Sequence, residues 1–148
     1  MPVREAGSDD VDEVARLIRE LAVYEKLEHE AVASVDDLRA VMTGPDPVVR
    51  VSLATEADGT VVGCALWYRT YSTFTGRTGI WLEDLFVRPA QRGSGHGRAL
   101  LEHLRSLTDG RVEWDVLDWN APAIGFYEHL GAQARRGWTT YRWTPPSG

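Results

Sequence analysis

Apolar residues recur at helical spacing over about residues 9–26, where Val11, Val14, Leu17, Ile18 and Leu21 share one side and Ser8 or Asp9 stands ready to cap the start. Ahead of it, Val3-Arg4-Glu5 reads as a short first strand. Ser34-Val35-Asp36-Asp37 opens a shorter helix through Leu38, Val41 and Met42 in a capping-box pattern, and Gly44-Pro45-Asp46-Pro47 ends it. The period then changes to two. Val49, Val51 and Leu53 alternate with polar neighbours, Asp58-Gly59 marks a hairpin turn, and the run from Val61 to Arg69 returns as a more central strand. After Thr73-Phe74-Thr75-Gly76, a strand over about residues 78–87 stops at Pro89. Leu100, Leu101, Leu104 and Leu107 mark a helix from Gly97 to Leu107. A strand at Val112–Leu117 follows, then a helix opened by Asn120-Ala121-Pro122 and closed by Gly131. The aromatic-rich stretch Trp138–Trp143 reads as a last strand. This order of elements predicts an α/β fold with a mixed sheet flanked by helices, a single domain over residues 1–148.

Composition narrows the classes. With 43% hydrophobic and 26% charged residues, the chain reads as soluble and globular. The formal net charge of −6, with no stripe of Lys or Arg, argues against nucleic acid as a partner and favours cationic small molecules. The longest nearly apolar run, Val61–Tyr68, is too short to span a bilayer, and the start lacks the layout of a signal peptide, so no membrane role is expected. Cys64 stands alone inside that run. It reads as a buried structural residue and fits a reducing, cytoplasmic setting. The four histidines show no shared motif spacing, and no metal site is expected.

The segment Arg92-Gly93-Ser94-Gly95-His96-Gly97 carries the first chemical signal. Its glycines let backbone N–H groups turn toward an anion, the following helix adds its dipole, and Arg92 supplies a cation. Taken alone, the pattern is equally an ordinary strand-to-helix turn. It is neither a dinucleotide fingerprint nor a P-loop, because the third glycine is misplaced and no Gly-Lys-Ser/Thr follows.

Two flanking blocks sharpen it. Leu82-Glu83-Asp84-Leu85-Phe86-Val87-Arg88-Pro89 leads into the loop, and Asn120-Ala121-Pro122-Ala123-Ile124-Gly125-Phe126-Tyr127-Glu128 follows one strand later. With these the sequence resembles the GNAT acetyltransferases, whose Arg/Gln-x-x-Gly-x-Gly/Ala loop holds the pyrophosphate of acetyl-CoA. Arg92, Gly95 and Gly97 occupy that pattern. The runs Leu17–Leu27, Tyr71–Thr78, Trp81–Asp84 and Val116–Asn120 look like the diamine (spermidine/spermine) acetyltransferase branch, and within it most like the thialysine Nε-acetyltransferases. The similarity covers nearly the whole chain.

The resemblance implies roles. A primary amine with a pKa near ~10 must lose a proton before it can attack a thioester. Glu83 matches the branch's glutamate, acting as base through a water or as an amine anchor; the ordinary alternative is a solvated strand carboxylate. Tyr127 occupies the position of the acid that protonates the departing thiolate, its alternative being an aromatic packed in a core. Leu85, Phe86 and Val87 would pair with the pantetheine arm like an added strand. Gly93, Ser94, Gly95, His96, Gly97 and Arg98 would hold the pyrophosphate together with Arg92. Asn120, Ala121, Pro122 and Ala123 fall where the family contacts the cofactor, and Asn120 is equally a helix cap. For the amine, Tyr24, Glu25, Glu113, Trp114 and Asp115 match substrate-contacting positions. Thr73 departs from the polyamine-specific members, which carry an Asp there.

The implied activity is transfer of acetyl from acetyl-CoA to a small primary amine by direct attack, in an enzyme that is a homodimer like its branch relatives. A thialysine-like amino acid or short diamine ranks above spermidine. Acetylation of protein lysines or N-termini, and a non-catalytic acyl-CoA-binding regulator, remain open alternatives at this point.

Overall fold

Five strands, β1 (Val3–Glu5), β2 (Arg50–Thr55), β3 (Val61–Ser72), β4 (Arg77–Val87) and β5 (Val112–Glu113), form one sheet in that order in the computed structural model, which describes residues 2–147. The first three pairings are antiparallel and β4 with β5 is parallel, so the sheet is mixed and mostly antiparallel, as expected. The chain divides into two compact units, one through Asp115 and one from Val116.

In the first unit the helices are α1 (Val11–Tyr24), α2 (Val35–Met42) and α3 (His96–Ser106). Ser8 and Asp9 do not cap α1. They lie in a short 3-10 turn whose Asp10 carboxylate accepts from the Gly7 N–H at 2.7 Å and pairs with Arg4 at 2.9 Å, which delays the helix to Val11. The cap of α2 forms as predicted: Asp37 N–H donates to Ser34 Oγ at 3.0 Å, and Ser34 N–H donates to Asp37 Oδ2 at 2.8 Å.

Alternation along the strands sorts side chains to two faces. Val51, Leu53, Cys64, Leu66 and Phe86 form one cluster with Val14, Leu17 and Leu21 of α1. Leu100 and Leu104 of α3 are fully buried, and α3 packs against β2, β3 and β4. Burial of these side chains is the main term holding the unit together, at about 1.5–3 kcal/mol for each large aliphatic group. Cys64 is buried with its thiol pushed up to about 12 by loss of water, which leaves it a packing residue and no nucleophile. Among the described residues, no helix is long and apolar enough to cross a membrane.

The second unit carries α4 (Ala121–His129), capped by Asn120, whose Oδ1 accepts from the Ala123 N–H at 3.3 Å. Pro122 sits in the first turn and Gly131, at φ 98°, follows the end. Two strand expectations need correction. The predicted strand Val112–Leu117 shortens to Val112–Glu113, because only Ile80↔Val112 and Trp81↔Glu113 pair with β4. The predicted last strand Trp138–Trp143 does not form, and Trp138, Tyr141 and Trp143 are 68%, 93% and 99% exposed. Aromatic residues raise strand propensity, but a strand exists only through a hydrogen-bonded neighbour, which this segment lacks among the described residues.

Candidate active site

One irregularity in β4 organises the site. Leu66 pairs with Asp84 and Trp67 with Leu82, so Glu83 is the extra residue of a β-bulge. The bulge breaks the two-residue period. Leu82, opposite Trp67, and Ile80 point to one face, whereas Asp84, opposite Leu66, and Phe86, opposite Cys64, point to the face covered by α1. Tyr68, Trp81 and Glu113 are aligned across three strands on that same face. Glu83 is exposed, and its Oε2 accepts from the Trp81 indole N–H at 2.9 Å.

Acidic groups gather around this bulge. Burial, with the nearby Glu83 and Glu25 charges, pushes the Asp84 carboxyl up to about 6. Burial likewise raises Glu25, at the C-terminal cap of α1. Tyr68 is raised by burial and by the charges of Glu83 and Asp115. The charges of Glu83 and Glu25 disfavour the ionised form of Asp84, and a cation placed beside it would relieve that cost. Asp84 and Tyr68 were missed by sequence reasoning. The available signal was a charge at an inward position of an otherwise apolar strand, concealed because simple alternation gives Asp84 the wrong face.

The glycine loop lies beyond β4. A 3-10 turn at Pro89–Gln91 leads to Arg92, and Gly93 and Gly95 adopt φ of 83° and 92°, a region costly for other residues. Gly95 is the N-cap of α3 and offers no side-chain hydrogen bond. The first bond of the helix runs from Ala99 N–H to Gly95 O at 2.9 Å, so the amides of His96, Gly97 and Arg98 have no helical acceptor. An uncapped first turn behind two left-handed glycines is a ready cradle for an anion.

Side chains of the loop are committed elsewhere. His96 is buried, with Nε2 at 3.8 Å from Glu56 Oε2, so its backbone amide is the group facing the cradle. Arg98 pairs with Glu102 at 2.8 Å along α3. Arg92 Nε donates to Val87 O at 2.9 Å, and its guanidinium lies 4.8 Å from the Tyr24 ring centroid and 5.4 Å from that of Phe86. Ser94 is exposed at the loop tip. Because β5 reaches only Trp81, the other edge of β4 from Leu82 through Leu85, Phe86 and Val87 pairs with no strand among the described residues. An extended amide-bearing chain could add there.

The first unit therefore brings Tyr24, Glu25, Glu83, Leu85–Val87 and the 92–98 loop to the α1 end of the sheet, and Asp115 within electrostatic reach of the Tyr68–Glu83 group. Trp114 is partly buried just beyond β5. Thr73 is exposed in the turn between β3 and β4, and the strand separating it from Glu83 is on the order of 20 Å long. In the second unit Tyr127 is partly buried on α4, its ring centroid 5.6 Å from that of Phe126, and Ala121–Ala123 form the first turn behind Asn120.

A sequence profile of the acetyltransferase (GNAT) family matches residues 14–132. The chain belongs to the GNAT family. Like other GNAT proteins it is an acyltransferase, and the matched span contains the bulge, the glycine loop and the α4 block. The chain is similar to thialysine N-epsilon-acetyltransferase from Mus musculus, at 38% identity over 95% of this chain and 90% of that protein. It is also similar to L-ornithine N5-acetyltransferase from Arabidopsis thaliana, at 29% identity over 96% of this chain and 83% of that one. Among solved structures, an integron cassette protein from the mobile metagenome of V. cholerae superposes with a TM-score of 0.78 at 25% identity, covering 97% and 92% of the two chains. A probable acetyltransferase at 16% identity superposes with a TM-score of 0.80 and shares the GNAT fold.

Proposed function

We propose that this GNAT enzyme transfers acetyl from acetyl-CoA to the primary amine of a small molecule, a thialysine-like amino acid, ornithine or a short diamine. The observation that carries this reading is the acidic group at the bulge, Glu25, Glu83 and Asp84, joined to the loop before the uncapped α3 by Arg92, which lies over Tyr24 and Phe86. Similarity to enzymes named for thialysine and ornithine, amino acids with one side-chain amine, supports a small acceptor over a polyamine. Thr73 agrees, since a hydroxyl there offers no second anchor for a long polycation.

The donor fits the residues present. Pyrophosphate oxygens would accept from the amides of His96, Gly97 and Arg98 behind Gly93 and Gly95, and the pantetheine amides would pair along Leu85–Val87. By the family resemblance, Asn120 and the turn at Ala121, Pro122 and Ala123 would also contact the donor. The donor supplies the activated acetyl group as a thioester. Asp84, Glu25, Glu113 and Asp115 hold the ammonium by charge, with Tyr24 and Trp114 along its alkyl part. Glu83, oriented by Trp81, takes the ammonium proton directly or through a water, and the freed amine attacks. Tyr127 returns a proton to the departing sulfur. We propose with it one catalytic domain over residues 1–148 and, by analogy with the branch relatives, a homodimer in the cytoplasm.

An acceptor panel scored by thiol release tests it. Thialysine, ornithine, short diamines, spermidine and a lysine-containing peptide are supplied with acetyl-CoA, and the first three classes should turn over best. Spermidine as the best acceptor would overturn the Thr73 argument. Preference for the peptide would overturn the small-amine reading.

A further inference from the structure

Arg92 does not reach out from the glycine loop. Its Nε bonds Val87 O at 2.9 Å, which folds the side chain back over the end of β4. From there the guanidinium lies 4.8 Å from the ring centroid of Tyr24, the last residue of α1, and 5.4 Å from that of Phe86. One side chain thus contacts three segments: the cofactor loop that bears it, the strand edge assigned to pantetheine, and the helix end that precedes Glu25 beside Asp84. Guanidinium suits such a junction, because it can donate in its plane while stacking on aromatic faces, which an ammonium cannot do.

We propose that Arg92 is a positioning residue that couples the cofactor loop to the amine-receiving end of α1 through Tyr24, instead of serving chiefly as a cation for the pyrophosphate. The inference rests on the acetyl-CoA reading given above. An anion held by the loop would fix Arg92 and, through the contacts it already makes, Phe86 and Tyr24, so that α1 loses freedom at its C-terminal turn. Reciprocity follows: any group that orders Tyr24 also favours the loop, so donor and acceptor sites assist each other in binding.

CoA alone suffices as probe. Hydrogen exchange of the wild-type chain with saturating CoA should slow amides 93–99 and also the last turn of α1, around residues 20–26. Calorimetric titration should show CoA binding weakened about three- to tenfold by Tyr24→Leu, although Tyr24 lies outside the loop. Arg92→Lys should weaken it to a similar degree, the double variant should be no weaker than the worse single one, and Tyr24→Phe, which keeps the ring, should rescue affinity. Protection confined to 93–99, or Tyr24→Leu and Arg92→Lys effects that multiply independently, would overturn the coupling while leaving the acetyl-CoA reading intact. Absence of protection at 93–99 would instead remove that reading, and the coupling with it.

Discussion

Trp81 donates its indole N–H to Glu83 at 2.9 Å, two residues away along the bulged strand. The bond fixes an exposed carboxylate that would otherwise sample several rotamers, and it does so at the residue that pairs with neither neighbouring strand. Glu83→Gln should therefore lower kcat/KM for the amine about 10²-fold or more, the usual scale for loss of a general base. Trp81→Phe keeps the ring and removes only the donor; a loss of about three- to tenfold is expected from the reduced preorganisation. Equal activity of Glu83→Gln and wild type in steady-state assays would remove Glu83 from the chemistry.

Tyr127→Phe deletes one hydroxyl on α4 and leaves the packing with Phe126 in place. Expected is a fall in kcat of about 10²-fold with little change in the KM for acetyl-CoA, since the lost group acts on the departing sulfur. A pH–rate series on both proteins checks this. Equal kcat in the two proteins across the series would remove Tyr127 from the chemistry.

Asp84 carries a pH signature of stability. Its folded pKa, about 6, stands above the unfolded value near ~3.9. The sign follows: folding favours the neutral acid, so this contribution is fully present below pH ~4 and is lost as pH rises through about 6. Asp84→Asn abolishes the penalty and should stabilise the fold by about 2–3 kcal/mol at pH 8 relative to pH 4. Urea denaturation of both proteins across that range measures it, and a difference that does not vary with pH would contradict the assignment. The same variant should raise the KM for the amine.

Arg88 ties the end of β4 to α1. Its guanidinium contacts Glu13 at 2.7 Å, Glu20 at 3.0 Å and Val61 O at 3.1 Å, and its side chain is 27% exposed. Arg88→Met should destabilise the protein by about 1–3 kcal/mol, less than a fully buried pair would because water screens the partners. Denaturation in low and high salt checks it: the wild-type advantage should shrink as salt rises.

Element types in the first 110 residues were legible because hydrophobic period is a local property, and the caps at Ser34 and Asn120 follow from side-chain chemistry that needs no distant partner. The glycine loop was equally legible, since left-handed backbone at 93 and 95 demands glycine wherever the rest of the chain lies. The resemblance to the diamine acetyltransferase branch singled out Glu83, which stands beside Asp84 in Trp81–Leu85. The residues alone could not rank the two carboxyl groups, because simple alternation sends them to faces that the bulge reverses.

Pairing decided the rest. Register between β3 and β4 turned Asp84 under α1 and left Glu83 exposed beside Trp81, a choice made by strands distant in sequence. The short reach of β5 left the Leu85–Val87 edge open, whereas the aromatic run at Trp138–Trp143 formed no strand despite its propensity. Arg92 reads in sequence as a free cation at an anion loop, and only tertiary contacts gave it Val87, Phe86 and Tyr24 as neighbours. The physical reason is common to all three. Residue type sets what a segment can do alone, but hydrogen-bond partners, face and desolvation belong to pairs of segments, and the folded chain alone brings those pairs together.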